Sequence, residues 1–243
     1  MSSFTFNGIS SDDLGIIITK PIVRPTWIPA TEYTPVPGRT RQIPHTKEWY
    51  PNSSFTVQAC MSDAEPEMVQ LIYNTLRGYG TLVISTAPEE KLNVYIERLD
   101  PDGVAIMMAE FPIVFQAEPF AYAIEPKSQS IKGDTVEVNN EGTAFVDPLI
   151  TIIASQATTT VNCNGVDMIV KTPQEIISAG YPSTYSIVLD CEGELAYYIK
   201  PNGDKIACTE CTKGPFARLH TGKNYFTVQN VQSAALTMTE RWY

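Results

Sequence analysis

The side chains with the strongest chemical potential are five cysteines (Cys60, Cys163, Cys191, Cys208 and Cys211) and two histidines, His45 and His220. Cys208-Thr-Glu-Cys211 is a CxxC, a spacing at which two thiolates can share one ion, and Cys163 with Cys191 could complete a tetrahedral zinc set. No second CxxC exists and the spacing to Cys163 and Cys191 is irregular, so the sequence favours ordinary reduced cysteines on strands and a turn. The odd count also argues against a secreted disulfide framework. The histidines stand alone, and isolated histidines are more often surface or hydrogen-bonded residues than ligands or bases. Asp12-Asp13, Glu89-Glu90 and Asp100-Pro-Asp102 are paired carboxylates in turn-forming contexts, where solvation is the commoner role. A glycosidase pair would need two carboxylates at a set separation across a sugar cleft. There is no GxSxG, Walker loop, GxGxxG or HExxH. The sequence predicts no catalytic residue, no cofactor and no metal.

What holds these residues is an acidic chain of 243 residues, 43% hydrophobic, with a net charge of −10 shared by both halves. Neither half carries the basic footprint that sequence-independent DNA binding uses, and such a surface would repel passing DNA. The opening Met1-Ser-Ser-Phe-Thr-Phe lacks a basic residue, and Ile16-Ile17-Ile18 is too short for a signal-peptide core. No run approaches the roughly 18 apolar residues of a membrane span. The expectation is a soluble protein made in a cytoplasm, with no membrane partner.

Strand period dominates the elements. Ser54–Met61 places Phe55, Val57, Ala59 and Met61 on one face, and Leu14–Thr19, Thr81–Ser85, Leu92–Leu99, Val104–Met108 and Ala109–Gln116 read as further strands. Pro112 implies an edge or a bulge in the last of these. One segment reads as a helix: Ser62 or Asp63 can cap it, Pro66 suits its first turn, Glu65 and Glu67 suit its dipole, and it stops at Gly78. After a polar stretch near Ser130 come short strands at Asp134–Val138, Leu149–Ala154, Thr159–Cys163, Val166–Lys171, Tyr185–Asp190, Leu195–Ile199, Tyr225–Gln229 and Leu236–Arg241. That spacing is the signature of an antiparallel sandwich. The fold class is mainly β: an α+β N-terminal domain with one helix (1–130), then a C-terminal β-sandwich (131–243).

Residues 20–51 stand apart. Seven prolines rule out a helix or a central strand there, so the stretch should be an extended arm or a long loop. Trp27, Tyr33, Trp49 and Tyr50 make disorder a poor description, and at about 150–250 Å² each they could bury roughly 600–1,000 Å². That matches one partner's share of a standard interface, about 800 Å². The arm either folds back over its own domain or lies on a neighbouring copy, and the area favours the neighbour. Its candidate inter-subunit contacts are Arg24, Trp27, Tyr33, Arg39, Arg41, Trp49 and Tyr50.

Together these pieces resemble the distal tail (Dit) proteins of siphophages. Phe4-x-Phe6-Asn7-Gly8, Ser11-Asp12-Asp13-Leu14-Gly15-Ile16, Arg24-Pro25 and Val36-Pro37-Gly38-Arg39 carry the resemblance early in the chain, and Glu118-Pro119-Phe120-Ala-Tyr122 closes its first half. Asn139-Asn-Glu-Gly142-Thr143 with Pro148, Ile187-Val-Leu-Asp190, Leu219-His-Thr-Gly222-Lys-Asn224 and Thr239-Glu-Arg241-Trp242-Tyr243 carry it through the second half. His220-Thr221 stands where a proline often precedes the glycine. The resemblance implies a non-enzymatic hexameric ring at the virion tail tip, with a galectin-like sandwich on each subunit and a belt-like arm near the ring. It also implies partners: further copies of the chain, the tail tube protein, the tail-tip hub protein, and in some phages tape-measure and receptor-binding proteins. Phage DNA would pass through the lumen without specific binding. The alternative is a carbohydrate-binding module acting in host cell-wall adhesion; a tail-associated hydrolase ranks last, for want of a catalytic pattern.

Overall fold

The computed structural model describes residues 2–47, 49–61, 66–99 and 111–243. The expected helix cap at Ser62 or Asp63, Glu65, the turn at 100–103 and the strand Val104–Met108 lie outside them. The chain divides into two compact units, residues 1–124 with Tyr243, and residues 125–242.

The first unit is built on one antiparallel sheet. Its strands are β1 (Phe4–Phe6), β2 (Ile9–Ser10), β3 (Ile16–Ile18), β6 (Ser53–Met61), β7 (Tyr79–Ile84), β8 (Ala87–Leu99) and β9 (Phe111–Ala123), in the order β2-β1-β7-β8-β9-β6-β3. Alternation sets its buried face: Phe55, Val57, Ala59 and Met61 on β6 point inward, as do Phe111, Ile113, Phe115 and Ala117 on β9. Phe115 meets Phe4 edge-on at 5.8 Å and stacks on Phe55 at 5.5 Å. The helix α1 (Pro66–Thr75) buries Ile72, and Leu76 just beyond it, but leaves Leu71 exposed.

Pro112 was expected to mark an edge or bulge, yet β9 is central, flanked by β8 and β6. The proline is tolerated because it is the second residue of the strand. Gln58 lies opposite it on β6, and the β8 ladder reaches only the Leu99–Ile113 pair among the described residues.

The second unit is a sandwich of two antiparallel sheets. One sheet is β10 (Lys127–Ser130), β20 (Val231–Met238), β12 (Leu149–Ala154), β15 (Ser186–Asp190), β16 (Leu195–Ile199) and β17 (Lys205–Ala207), in that spatial order. The other is β11 (Gly133–Asn140), β19 (Gly222–Gln229), β13 (Thr158–Cys163), β14 (Val166–Lys171) and β18 (Thr212–Lys213). Alternate residues of both fill one core, including Ile150, Ile152, Val161, Met168, Leu189, Phe226 and Leu236. The unit begins slightly ahead of the expected break at Ser130, because the polar run Lys127–Ser130 pairs with β20. A second helix not foreseen from sequence, α2 (Gln174–Ser178), buries only Ile176, too little for a visible period.

Two of the sequence motifs are explained here by geometry. In Asn139-Asn-Glu-Gly142-Thr143, the Gly142 amide donates to Asn140 Oδ1 at 3.0 Å, and a side chain at Gly142 would meet the Arg241 carbonyl oxygen at 2.4 Å. Gly142→Ala should therefore cost about 1–3 kcal/mol as an overpacking substitution, checked by urea unfolding. In Leu219-His-Thr-Gly222-Lys-Asn224, the buried Asn224 amide donates to the carbonyls of His220 (2.8 Å) and Gly222 (2.9 Å). Its oxygen accepts from the His220 amide and from Asn164, both at 2.9 Å. One side chain thus shapes the whole turn.

Burial pushes three thiols of the sandwich up: Cys163 to about 11, and Cys191 and Cys208 to about 12, from an ordinary value of 9.0. The folded state thus favours the protonated thiols. That stability is full below pH 9 and is lost as pH rises toward the folded values. Urea melts of the reduced protein should show a falling midpoint across that window, and Cys191→Ala should flatten the fall.

Candidate assembly surface

The proline-rich stretch is a β-hairpin on a packed root, rather than a featureless extended arm or loop. Strand β4 (Thr31–Thr34) pairs with β5 (Ile43–Thr46), with Tyr33 opposite Pro44. The ladder is lengthened by Lys47 N–H to Ala30 O (2.6 Å) and Ala30 N–H to Trp49 O (3.0 Å). Proline enters a strand here because the ladder has only two members, so each strand has an open side. Val36-Pro37-Gly38-Arg39 forms a turn closed by Arg39 N–H to Val36 O at 3.1 Å. Pro37 at its second position and Gly38 at its third, with φ of +80°, fit a type II turn.

The seven candidate contact residues separate into two groups. Trp27 is 4% exposed and lies in the core of the first unit, beside the buried Ile22 and Pro25. Arg24 is half-buried and ion-paired with Glu90 of β8. Tyr50, where the arm returns, packs on Phe120 (centroids 5.0 Å apart) and Tyr243 (5.4 Å), and its hydroxyl lies 3.0 Å from that of Tyr243. Burial, with the Tyr50 hydrogen bond second, pushes the Tyr243 hydroxyl up to about 12. Phe120 holds this cluster from a left-handed backbone, φ +72°, in the middle of β9. Such a conformation costs on the order of 1–3 kcal/mol in a bulky residue, offset by ring packing. Trp27 is thus a core residue, while Arg24 and Tyr50 are half-buried and make contacts within the unit.

The other four are exposed. Tyr33 is 62% and Trp49 60% accessible, and Arg39 and Arg41 at the tip are open. Val23, Ile28 and Ile43 add exposed apolar surface that sequence reasoning passed over, because single aliphatic residues among prolines give no period. Every residue of β5 is exposed and β4 is scarcely more covered, so the hairpin has no buried face of its own. An isolated two-stranded hairpin is marginal in water. A packed root thus carries an exposed two-stranded hairpin with Arg39 and Arg41 at its tip.

A cleft of about 260 Å³ opens on the second unit among Val161, Cys163, Val166, Met168 and Phe216. Its lining is largely apolar; of the polar residues around it, Arg218 binds Asp147 at 2.8 Å and lies over the Phe145 ring, Asn164 bonds Asn224 and Tyr225 N–H, and His220 is exposed. A sugar site needs an open aromatic face with unengaged polar partners. Among the described residues no three His, Cys, Asp or Glu side chains gather as a metal site. No described helix is long and apolar enough to cross a membrane.

Against known structures, the whole chain superposes on the whole of the SPP1 phage Dit (gp 19.1) protein, a paradigm of the hub adsorption apparatus in phages infecting Gram-positive bacteria, with a TM-score of 0.78 at 14% identity. The chain has the fold of that Dit protein. The mainly β, antiparallel architecture is consistent with a Dit fold. Two structures of the phage P2 baseplate in its activated conformation, with Ca and with Sr, cover 99% of the chain and 98% of theirs at 7% and 8% identity; TM-scores of 0.47 and 0.48 are too low to support a shared fold. No protein-family model and no curated protein matches the chain.

Proposed function

We propose that this protein is a structural component of a phage tail tip, assembling as a six-membered ring that joins the tail tube to the tail-tip hub. The observation that carries the reading is the hairpin of residues 30–49, exposed on both faces above a packed root, within a chain whose fold is that of a phage hub protein. A closed ring repeats one heterologous interface, each copy offering one surface and receiving another. The hairpin is the offered surface: Tyr33 and Trp49 are contacts of the hot-spot type, and Arg39 and Arg41 seek acidic partners on a chain of net charge −10. The first unit builds the ring, and the second-unit sandwich serves as the docking platform for host-adhesion proteins. DNA crosses the lumen without binding, repelled by the acidic balance. The role is geometric, with no reaction.

Light scattering on a size-exclusion column, across a concentration series, tests this. A species near six copies supports the ring; a strict monomer at every concentration, and also in the presence of purified tail-tube protein, argues against it.

A further inference from the structure

We propose that Cys208 and Cys211 form a reversible disulfide that staples one edge of the second unit's sandwich when the protein meets an oxidising medium. The inference is independent of the ring.

Thr209–Cys211 is a 3-10 turn capped by Cys208. Cys208 itself is not helical, but a turn closed by a bond from the fourth residue's N–H to the first residue's C=O holds the Cα atoms of its two ends less than about 7 Å apart. That overlaps the roughly 4.4–6.8 Å that a disulfide accepts. The turn is closed by Cys211 N–H to Cys208 O at 2.9 Å. The backbone is also fastened down: Cys208 N–H donates to Ala196 O at 2.8 Å, Ala196 N–H to the Thr209 hydroxyl at 3.0 Å, and the Thr212 hydroxyl to Thr209 O at 2.7 Å. The turn that carries the pair is therefore already fastened, with little chain entropy left to lose.

Its position gives the bond a purpose. Strand β17 is the last strand of one sheet and β18 the last of the other, and the Cys208–Cys211 turn is the link between them. The staple would fix the turn from which both edge strands run. Cytoplasmic reductants keep such thiols free, and oxidising media close them.

The chemistry needs a small-molecule disulfide such as oxidised glutathione. The half-buried Cys211 thiolate attacks it, forming a mixed disulfide and releasing one glutathione thiolate. Cys208 then loses its proton and attacks the Cys211 sulfur, expelling the second. Two protein thiols become one disulfide, and one small disulfide becomes two thiols. Because burial raises both thiols, the reaction is slow at neutral pH and quickens as pH rises.

The full-length reduced protein, treated with oxidised glutathione, acid-quenched, unfolded and alkylated, should carry three alkylated cysteines rather than five. Its mass should fall by two hydrogens before alkylation, peptide mapping should give a Cys208–Cys211 link, and gels without reductant should show no covalent dimer. Hydrogen exchange at Lys205–Ala207 and Thr212–Lys213 should slow on oxidation. Cys211→Ser should abolish the link while its reduced form melts like the reduced parent. Five alkylated thiols, a link through Cys60, Cys163 or Cys191, or a mixed disulfide that persists would each overturn the proposal.

Discussion

Trp27→Ala should destabilise the first unit by about 3–5 kcal/mol, the cost of removing a large aromatic from a packed core, while Trp49→Ala should leave the unfolding midpoint unchanged. Trp27 is 4% exposed and Trp49 60%. Among the described residues the indole N–H of Trp27 has no hydrogen-bond partner, so the side chain contributes chiefly through its volume. Trp27→Phe should accordingly recover much of the loss. Against a total stability of about 5–15 kcal/mol for an ordinary domain, Trp27→Ala alone can unfold a large share of the molecules, and any loss of assembly would follow from that. Trp49→Ala should instead weaken association of a folded chain. Urea unfolding followed by fluorescence, with sedimentation of the same samples, separates the two effects. If Trp27→Ala were neutral to folding, the root would be loose and the hairpin would lack a fixed direction.

The second large effect is expected at Arg241. Its guanidinium donates to Glu192 at 2.6 Å and faces the Asp147 carboxylate at 3.6 Å, with the arginine and aspartate side chains only 7% and 9% exposed. Asp147 also receives Arg218 at 2.8 Å, but Arg218 is half exposed. Arg241→Met removes one partner of a buried pair, and about 3–5 kcal/mol is the usual penalty. Arg218→Met breaks a solvated contact and should cost about 1 kcal/mol or less. Urea melts of the two variants give the comparison; equal losses would mean that Asp147 is not held by the buried arginine.

How much of this was legible in the sequence depended on how a residue's role is encoded. Strands with one buried face announce themselves by period two: Leu149–Ala154, Val166–Lys171 and Leu195–Ile199 fall where alternation placed them. Strands without apolar alternation did not. Lys127–Ser130 is fully exposed and polar, and it is a strand only because β20 offers it a free edge. The hairpin was hidden because proline density correctly excludes a central strand but not a two-stranded ribbon. Of the candidate contacts, composition could identify the aromatic and cationic residues but not their depth. Trp27 and Trp49 have equal hydrophobicity, and only tertiary packing tells the buried one from the exposed one. The Tyr50–Phe120–Tyr243 cluster joins residues from three distant points of the chain, and no local signal predicts it.

The central claim is that the hairpin of one copy lies on the next. A photo-crosslinking amino acid in place of Trp49 tests it most directly, with the illuminated protein run on a denaturing gel and the adducts mapped. The account predicts a ladder of covalent oligomers up to six chains, with adducts on a surface of another copy and a matching loss of the ladder in the Tyr33→Ala variant. Crosslinks confined to single chains, in a protein that is nonetheless associated in solution, would contradict it.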